Sequence, residues 1–114
     1  MTTTRKPIKG VKAKYERVID GDTLSFLINC RLNRIDAPET KGVERQLGQV
    51  TKNYLIERIN AAHDIKIDII DRDYYARLLI ELYIDGVNIN DELVEKRLAE
   101  VYTPAHHNNG VLDI

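Results

Sequence analysis

With 114 residues and a formal net charge of −1, the chain holds one domain around one core and is too short for two. Cys30 is its only cysteine, which excludes an internal disulfide scaffold and a cysteine-based zinc site. No apolar run approaches the roughly 20 residues that span a bilayer, and the N-terminal stretch lacks the apolar core of a signal peptide, so a cytoplasmic protein with no membrane partner is expected.

The near-neutral total hides an asymmetry. Arg5, Lys6, Lys9, Lys12, Lys14 and Arg17 stand against Glu16 alone, a basic ribbon suited equally to a solvated strand face and to phosphate contact. Residues 1–10 read as a basic arm. From Val11 onward, Ala13, Tyr15 and Val18 alternate with charged residues, the period of a half-buried strand, and Asp20-Gly21 gives a hairpin signal before a second strand over 23–28. A turn near Asn29 leads to a third strand over 30–35, so the three are expected to form a meander. Ala37-Pro38 then stops the ladder, because proline has no N–H and biases the residue before it away from helix.

Leu47, Val50, Tyr54, Leu55 and Ile59 recur at helical spacing, which predicts an amphipathic helix from Gln46 to Asn60. Ile65, Ile67 and Ile69 alternate with polar residues, a tyrosine-rich turn follows, and 78–84 reads as a mostly apolar strand ending at Asp85-Gly86. Asn90 is expected to cap a short helix over 91–98, with Asp91 and Glu92 at its positive end. Five short strands lose their edges most economically by closing. The order therefore predicts a mainly β, α+β domain over 11–102, an OB-fold five-stranded barrel with a capping helix and a second short helix. Residues 103–114 show no periodicity and read as a loosely ordered tail.

Three acids and two arginines fall where strands end or turn. Asp22 follows a hairpin turn and Asp36 ends a strand, so a meander would bring both carboxylates to one barrel rim as an all-oxygen donor set for calcium or magnesium. Arg31 and Arg77 each begin a strand, and paired guanidiniums supply directed donors to the charge that builds on a phosphoryl group. Glu39, in the loop after Asp36, is placed to orient or deprotonate a water. Tyr74, Tyr75 and Tyr102 offer ring faces and hydroxyls to a nucleic acid, Tyr75 and Tyr102 being the candidate substrate contacts. Singly, each has an ordinary structural use: Asp-Gly as a turn, an arginine in a surface ion pair, a tyrosine in packing. His63 at a helix end and His106-His107 in the tail read as structural rather than catalytic.

Val18-Ile19-Asp20-Gly21-Asp22-Thr23-Leu24, Arg31-Leu32 through Ile35-Asp36-Ala37-Pro38-Glu39-Thr40, and Asp73-Tyr74-Tyr75-Ala76-Arg77 with Asp85-Gly86 and Asn90 beyond together resemble the staphylococcal nuclease (thermonuclease) family. The resemblance runs from about Val11 to Tyr102. It implies an OB-fold barrel and endonucleolytic cleavage of DNA or RNA with a single calcium ion rather than magnesium, giving 3′-phosphate products with little sequence specificity. It further implies that Asp22, Asp36 and the backbone carbonyl of Ala37 are metal ligands, that Arg31 and Arg77 bind phosphate, and that Glu39 acts on the attacking water. A monomer is expected first, with a dimer as the alternative. The rival function is a catalytically silent OB-fold module that binds nucleic acid or a protein partner.

The chain departs from that pattern in four places. Ala37 replaces a threonine, which leaves a carbonyl ligand unaffected. Ala76 replaces a glycine, which strains the turn before Arg77 if the position needs a positive φ. Tyr74 replaces a lysine and the loop from Lys41 to Leu47 is shorter and less basic, so weaker substrate affinity or another polymer is expected. The family's third helix has no counterpart after Tyr102, and a barrel side left bare predicts marginal stability or a compensating contact.

Overall fold

The computed structural model describes residues 6–102. The expectations for the start of the basic arm, for the tail and for His106-His107 lie outside them.

Asp20 sits opposite Thr23 across the tight turn at Gly21-Asp22, joining β1 (Lys14–Asp20) to β2 (Thr23–Leu27) as an antiparallel hairpin with two register irregularities. The expected strand start at Val11 falls later. Val11 packs half-buried on the core instead, while the Lys12 N–H donates to the Ala76 carbonyl at 2.9 Å. The meander is corrected at the next step: β3 (Cys30–Leu32) pairs not with β2 but in parallel with β6 (Leu78–Ile84). The Leu78 N–H bonds the Asn29 carbonyl at 3.1 Å and the Asn33 N–H bonds the Ile80 carbonyl at 2.8 Å, extending that ladder at both ends. The physical reason is burial. β6 is apolar over most of its length and largely buried, the setting in which parallel pairing is found. Arg34, at φ 71°, then breaks the expected 30–35 strand, so that β4 (Ile35–Asp36) leaves in another direction.

The helix expected from Gln46 is α1 (Arg45–Asn60), entered through a 3-10 turn at Gly42–Glu44. β5 (Ile65–Arg72) pairs antiparallel with β6, and Asp85 and Gly86, both at positive φ, turn the chain into the short β7 (Val87–Asn88). The helix α2 (Ile89–Glu95) starts earlier than expected and takes a different cap. The Asn88 side chain, at the end of β7, accepts from the Asp91 N–H at 2.9 Å, whereas Asn90 is fully buried. Asn90 stitches elements together instead: it accepts from the Leu82 N–H at 3.0 Å and donates to the Asn33 and Ile80 carbonyls at 2.9 and 3.0 Å. Arg97, at φ 60°, ends the helical stretch, with the Leu98 and Ala99 N–H groups turned back onto the Leu93 carbonyl. β8 (Glu100–Val101) pairs antiparallel with β4.

The core is Ile35, Ile80, Leu82, Ile84, Ile89 and Leu93 with their neighbours, covered by Tyr54 and Leu55 of α1. Two polar locks fix α1 there. The Thr51 hydroxyl donates to the Leu98 carbonyl at 2.6 Å, and Glu92 accepts from the Tyr54 hydroxyl and the Arg58 guanidinium at 2.6 and 2.7 Å. A third lies at Glu81, buried within the apolar strand β6. It accepts from Arg34, Asn33 and Asn88, as a buried carboxylate requires.

The closed barrel is not what these residues form. Among the described residues the strands fall into three separate sheets: β1-β2, then β3-β6-β5 with β7 on β6, and β4-β8. Every residue of β1 and β5 is exposed, although Tyr15, Ile65, Ile67 and Ile69 lie on them. The hairpin joins no other strand ladder, and β5 is the exposed edge strand of the main sheet. Two helices among short strands are as expected; the parallel β3–β6 pairing is not.

Candidate active site

Arg31 lies in β3, and its guanidinium is held from three sides. It donates to the Leu32 carbonyl at 3.2 Å, pairs with Asp36 at 3.4 Å, and lies 5.0 Å from the centre of the Tyr102 ring. Tyr102 is itself tied in by its N–H, which bonds the Arg34 carbonyl at 2.8 Å. Asp36 ends β4, so the pairing of β4 with β8 brings both residues to one edge of the fold.

Arg77 is positioned by an acid four residues earlier. Asp73 accepts from the Tyr75 and Arg77 N–H groups at 2.8 and 2.9 Å and from the Arg77 Nε at 2.6 Å. Burial opposes ionisation of Asp73, but those hydrogen bonds outweigh it and hold its carboxyl below the ordinary carboxylate range. Ala76 takes a positive φ, 66°, so the condition under which replacing glycine strains this turn is met. The Asp73 cage supplies the bonds that hold this turn in the unfavourable geometry. Arg77 also lies over the Tyr75 ring at 5.5 Å, and Tyr75 meets Tyr74 edge-on. Arg31, Arg77, Tyr75 and Tyr102 thus line one open hollow of about 290 Å³, floored by Leu79.

A second hollow, of about 230 Å³, opens on the other side of Asp36. Ala37, Glu39, Leu47, Val50 and Leu98 line it with Asp36. Its position depends on Gly48 of α1: a Cβ there would collide with the Glu39 carbonyl and stand 2.8 Å from that of Pro38. The absence of a side chain lets the Pro38-Glu39 backbone lie against the helix. The Glu39 N–H donates to the Glu44 carboxylate at 2.9 Å, while the exposed Glu39 carboxylate makes no hydrogen bond among the described residues. The Arg31–Asp36 pair is the ridge between the two hollows.

Asp22 does not join this group. It sits in the hairpin turn, taking a hydrogen bond from the Thr23 hydroxyl at 3.0 Å and donating its N–H to Asp20 at 3.3 Å. Because β2 does not pair with β3, the step that would have carried Asp22 to the Asp36 rim is missing. Asp36 and the Ala37 carbonyl are oxygen donors of the type a hard cation takes, while Asp22, the third expected donor, lies apart from them in the hairpin turn. Among the described residues no three acidic, histidine or cysteine side chains gather as a metal site.

His63 lies beyond the end of α1, with its N–H on the Asp85 carboxylate at 3.1 Å. Asp73 was named in sequence only as part of the Arg77 motif, with no role of its own, and Gly48 was not singled out. The signal for Asp73 was its spacing from Arg77 across a tyrosine turn, since aspartate side chains accept from backbone two to four residues on. Gly48 had no comparable signal, because what it accommodates lies in another segment.

A family model described as staphylococcal nuclease homologue matches residues 29–112. The endonuclease YncB of Bacillus subtilis is 32% identical over 109 residues, 84% of this chain and 52% of that protein. The SPbeta prophage-derived endonuclease YokF of the same organism is 31% identical over 107 residues, 82% and 36% of the two chains. An uncharacterized endonuclease of Haemophilus influenzae is 33% identical over 97 residues, 80% and 52%. The chain spans about half the length, or less, of these curated relatives.

Proposed function

The chain belongs to the staphylococcal nuclease homologue family, and from that premise we propose that it hydrolyses phosphodiester bonds of DNA or RNA with calcium, cutting internally with little sequence specificity and leaving 3′-phosphates. Its working form is proposed to be the closed OB-fold barrel. One observation carries this function: two arginines meet in one hollow with two tyrosine rings, and one of them is paired to an acid that borders the Glu39 hollow.

Arg31 and Arg77 take the oxygens of the scissile phosphate, where several directed donors match the charge that grows in the transition state. Tyr75 and Tyr102 hold the adjoining sugar and base. Glu39, exposed to solvent and with its carboxylate unpaired among the described residues, orients or deprotonates the attacking water. Asp36, the Ala37 carbonyl and Asp22 are the proposed calcium ligands, and the ion would supply fixed positive charge beside the phosphate. Asp73 touches no substrate and is a positioning residue for Arg77.

Cleavage of single-stranded DNA, duplex DNA and RNA is the direct test, with calcium, with magnesium and with chelator, alongside Glu39→Gln. Calcium-dependent cutting that falls by roughly 10²–10⁴ in Glu39→Gln is expected. No cutting by a folded wild type would leave a binding module as the function. Undiminished cutting by the variant would remove Glu39 from the reaction.

A further inference from the structure

We propose that Lys6 to Lys14, the basic segment leading into β1, is a track for the sugar-phosphate backbone of a single nucleic-acid strand entering or leaving the arginine hollow. That the strand is a substrate rests on the nuclease function above; that it binds here does not.

The segment concentrates charge. Lys6, Lys9, Lys12 and Lys14 fall within nine residues that hold no acid, leaving 13 basic against 18 acidic residues elsewhere. All four are exposed, and among the described residues none of them makes an ion pair. A merely solvated stretch needs no fixed place in the fold, yet this one is anchored three times. Gly10, at φ 74°, sits against the Arg72 guanidinium, which a Cβ there would meet at 3.9 Å. Val11 packs half-buried on the core, and the Lys12 N–H donates to the Ala76 carbonyl at 2.9 Å. The lysines are therefore laid beside the turn that ends in Arg77, and Arg72 adds a fifth cation where that turn begins. Two acids at this end of β5 are engaged: Asp73 holds Arg77, and Asp71 accepts from the Arg72 N–H at 2.7 Å.

The turn itself decides the ligand. Tyr74 and Tyr75 are 92% and 70% exposed and meet edge-on, and Tyr75 lies under Arg77 within the hollow. Exposed rings beside a row of cations suit a single strand, whose bases stack on the rings while its phosphates follow the charge. A duplex keeps its bases stacked on one another. A membrane surface could use the lysines, but its flat array of headgroups cannot follow them into the hollow that holds Arg31 and Arg77.

Fluorescence anisotropy with labelled single-stranded DNA of about 12 nucleotides, under chelator and across a salt series, tests the track. Each lysine on a phosphate contributes about 0.7 to the slope of log affinity against log salt, so Lys9→Gln, Lys12→Gln and Lys14→Gln together should lower the slope by about 2 and weaken binding by about 10²-fold at about 0.1 M salt, and each alone should lower the slope by about 0.7. Helical circular dichroism should not change. Lys52→Gln, Lys66→Gln and Lys96→Gln together remove as much charge from α1, the far end of β5 and the end of α2, and should keep the wild-type slope. A first triple that keeps the slope, a second triple that loses as much, an equal loss on a dinucleotide, or tighter wild-type binding to phosphatidylserine vesicles than to the strand overturns the track. Because binding is read apart from cleavage, a wild type that binds in this way and cuts nothing fails the nuclease function alone, and one that cuts but binds without the lysines fails the track alone.

Discussion

Gly48→Ala is the sharpest probe of how the helix positions the Glu39 loop. On helix propensity alone the substitution should stabilise by about 0.5–1 kcal/mol. The surroundings oppose this. The new Cβ would stand 2.5 Å from the Glu39 carbonyl carbon and 2.8 Å from the Pro38 carbonyl oxygen, closer still to the Glu39 oxygen. Comfortable contacts between such atoms begin near 3.5 Å, so the Glu39 peptide must retreat by roughly 1 Å. Backbone cannot swing aside as a side-chain tip can, and such overpacking costs about 1–3 kcal/mol, which exceeds the propensity gain. The net expectation is a loss of up to ~2 kcal/mol in urea unfolding. With Glu39 in its proposed role the larger effect is on chemistry, because a displacement of about 1 Å at a catalytic group costs on the order of 10²-fold. Single-turnover cleavage should therefore fall far more than substrate affinity. A Gly48→Ala protein that is stabilised by about 1 kcal/mol and cleaves normally would refute the assignment, showing that the loop moves without consequence.

Asn90→Ala should destabilise by about 2–4 kcal/mol, since it leaves the buried Leu82 N–H unsatisfied and removes two bonds to carbonyls; an urea midpoint within error of wild type would show that water replaces the amide. Glu81 predicts an acid limb of stability. Hydrogen bonding to Arg34 first, then to Asn88 and Asn33, overcomes burial and lowers its carboxyl from the ordinary 4.5 to about 2. Because the folded value lies below the unfolded one, this stability is fully present above about pH 4.5 and disappears as pH falls toward 2, ~2–3 kcal/mol in all. Glu81→Gln should flatten that limb in unfolding curves taken from pH 6 to 2, and an unchanged slope would assign acid sensitivity to other groups.

What was legible in sequence follows the range of the interactions. The α1 stripe, the Ile65-Ile67-Ile69 alternation and the Asp85-Gly86 turn are local patterns, and all three elements form where their residues predicted. The partner of β3 was not legible, because a parallel ladder between Cys30–Leu32 and the start of β6 joins segments nearly fifty residues apart and leaves no local mark. Asn88 and Asn90 are both good caps by type. The end of β7 decided between them, and the loser became the buried bridge to Asn33 and Ile80. At the site, Arg31, Asp36, Glu39 and Arg77 stood out by residue type and spacing. Their division into two hollows joined by one ion pair did not, since it depends on how β4 meets β8 and how α1 seats the loop.

The two arginines are not equivalent, and the difference bears on how a phosphate would enter. Arg77 is gripped at Nε by Asp73, and among the described residues its two terminal nitrogens make no hydrogen bond. Its fork is thus oriented and available before substrate arrives, the condition under which charged hydrogen bonds are strongest per unit of lost freedom. Arg31 is committed at both terminal nitrogens, to the Leu32 carbonyl and to Asp36. Its contact with Asp36 is long, 3.4 Å, and the carboxylate is nearly half exposed, so the pair is weak. Asp36 is also a proposed metal ligand. A phosphate can therefore dock first on Arg77 and the tyrosine rings and gain Arg31 only as Asp36 turns to other partners. Binding at one hollow and assembly of the other are then linked through a single weak ion pair, which ties full engagement of the phosphate to completion of the acid side of the site.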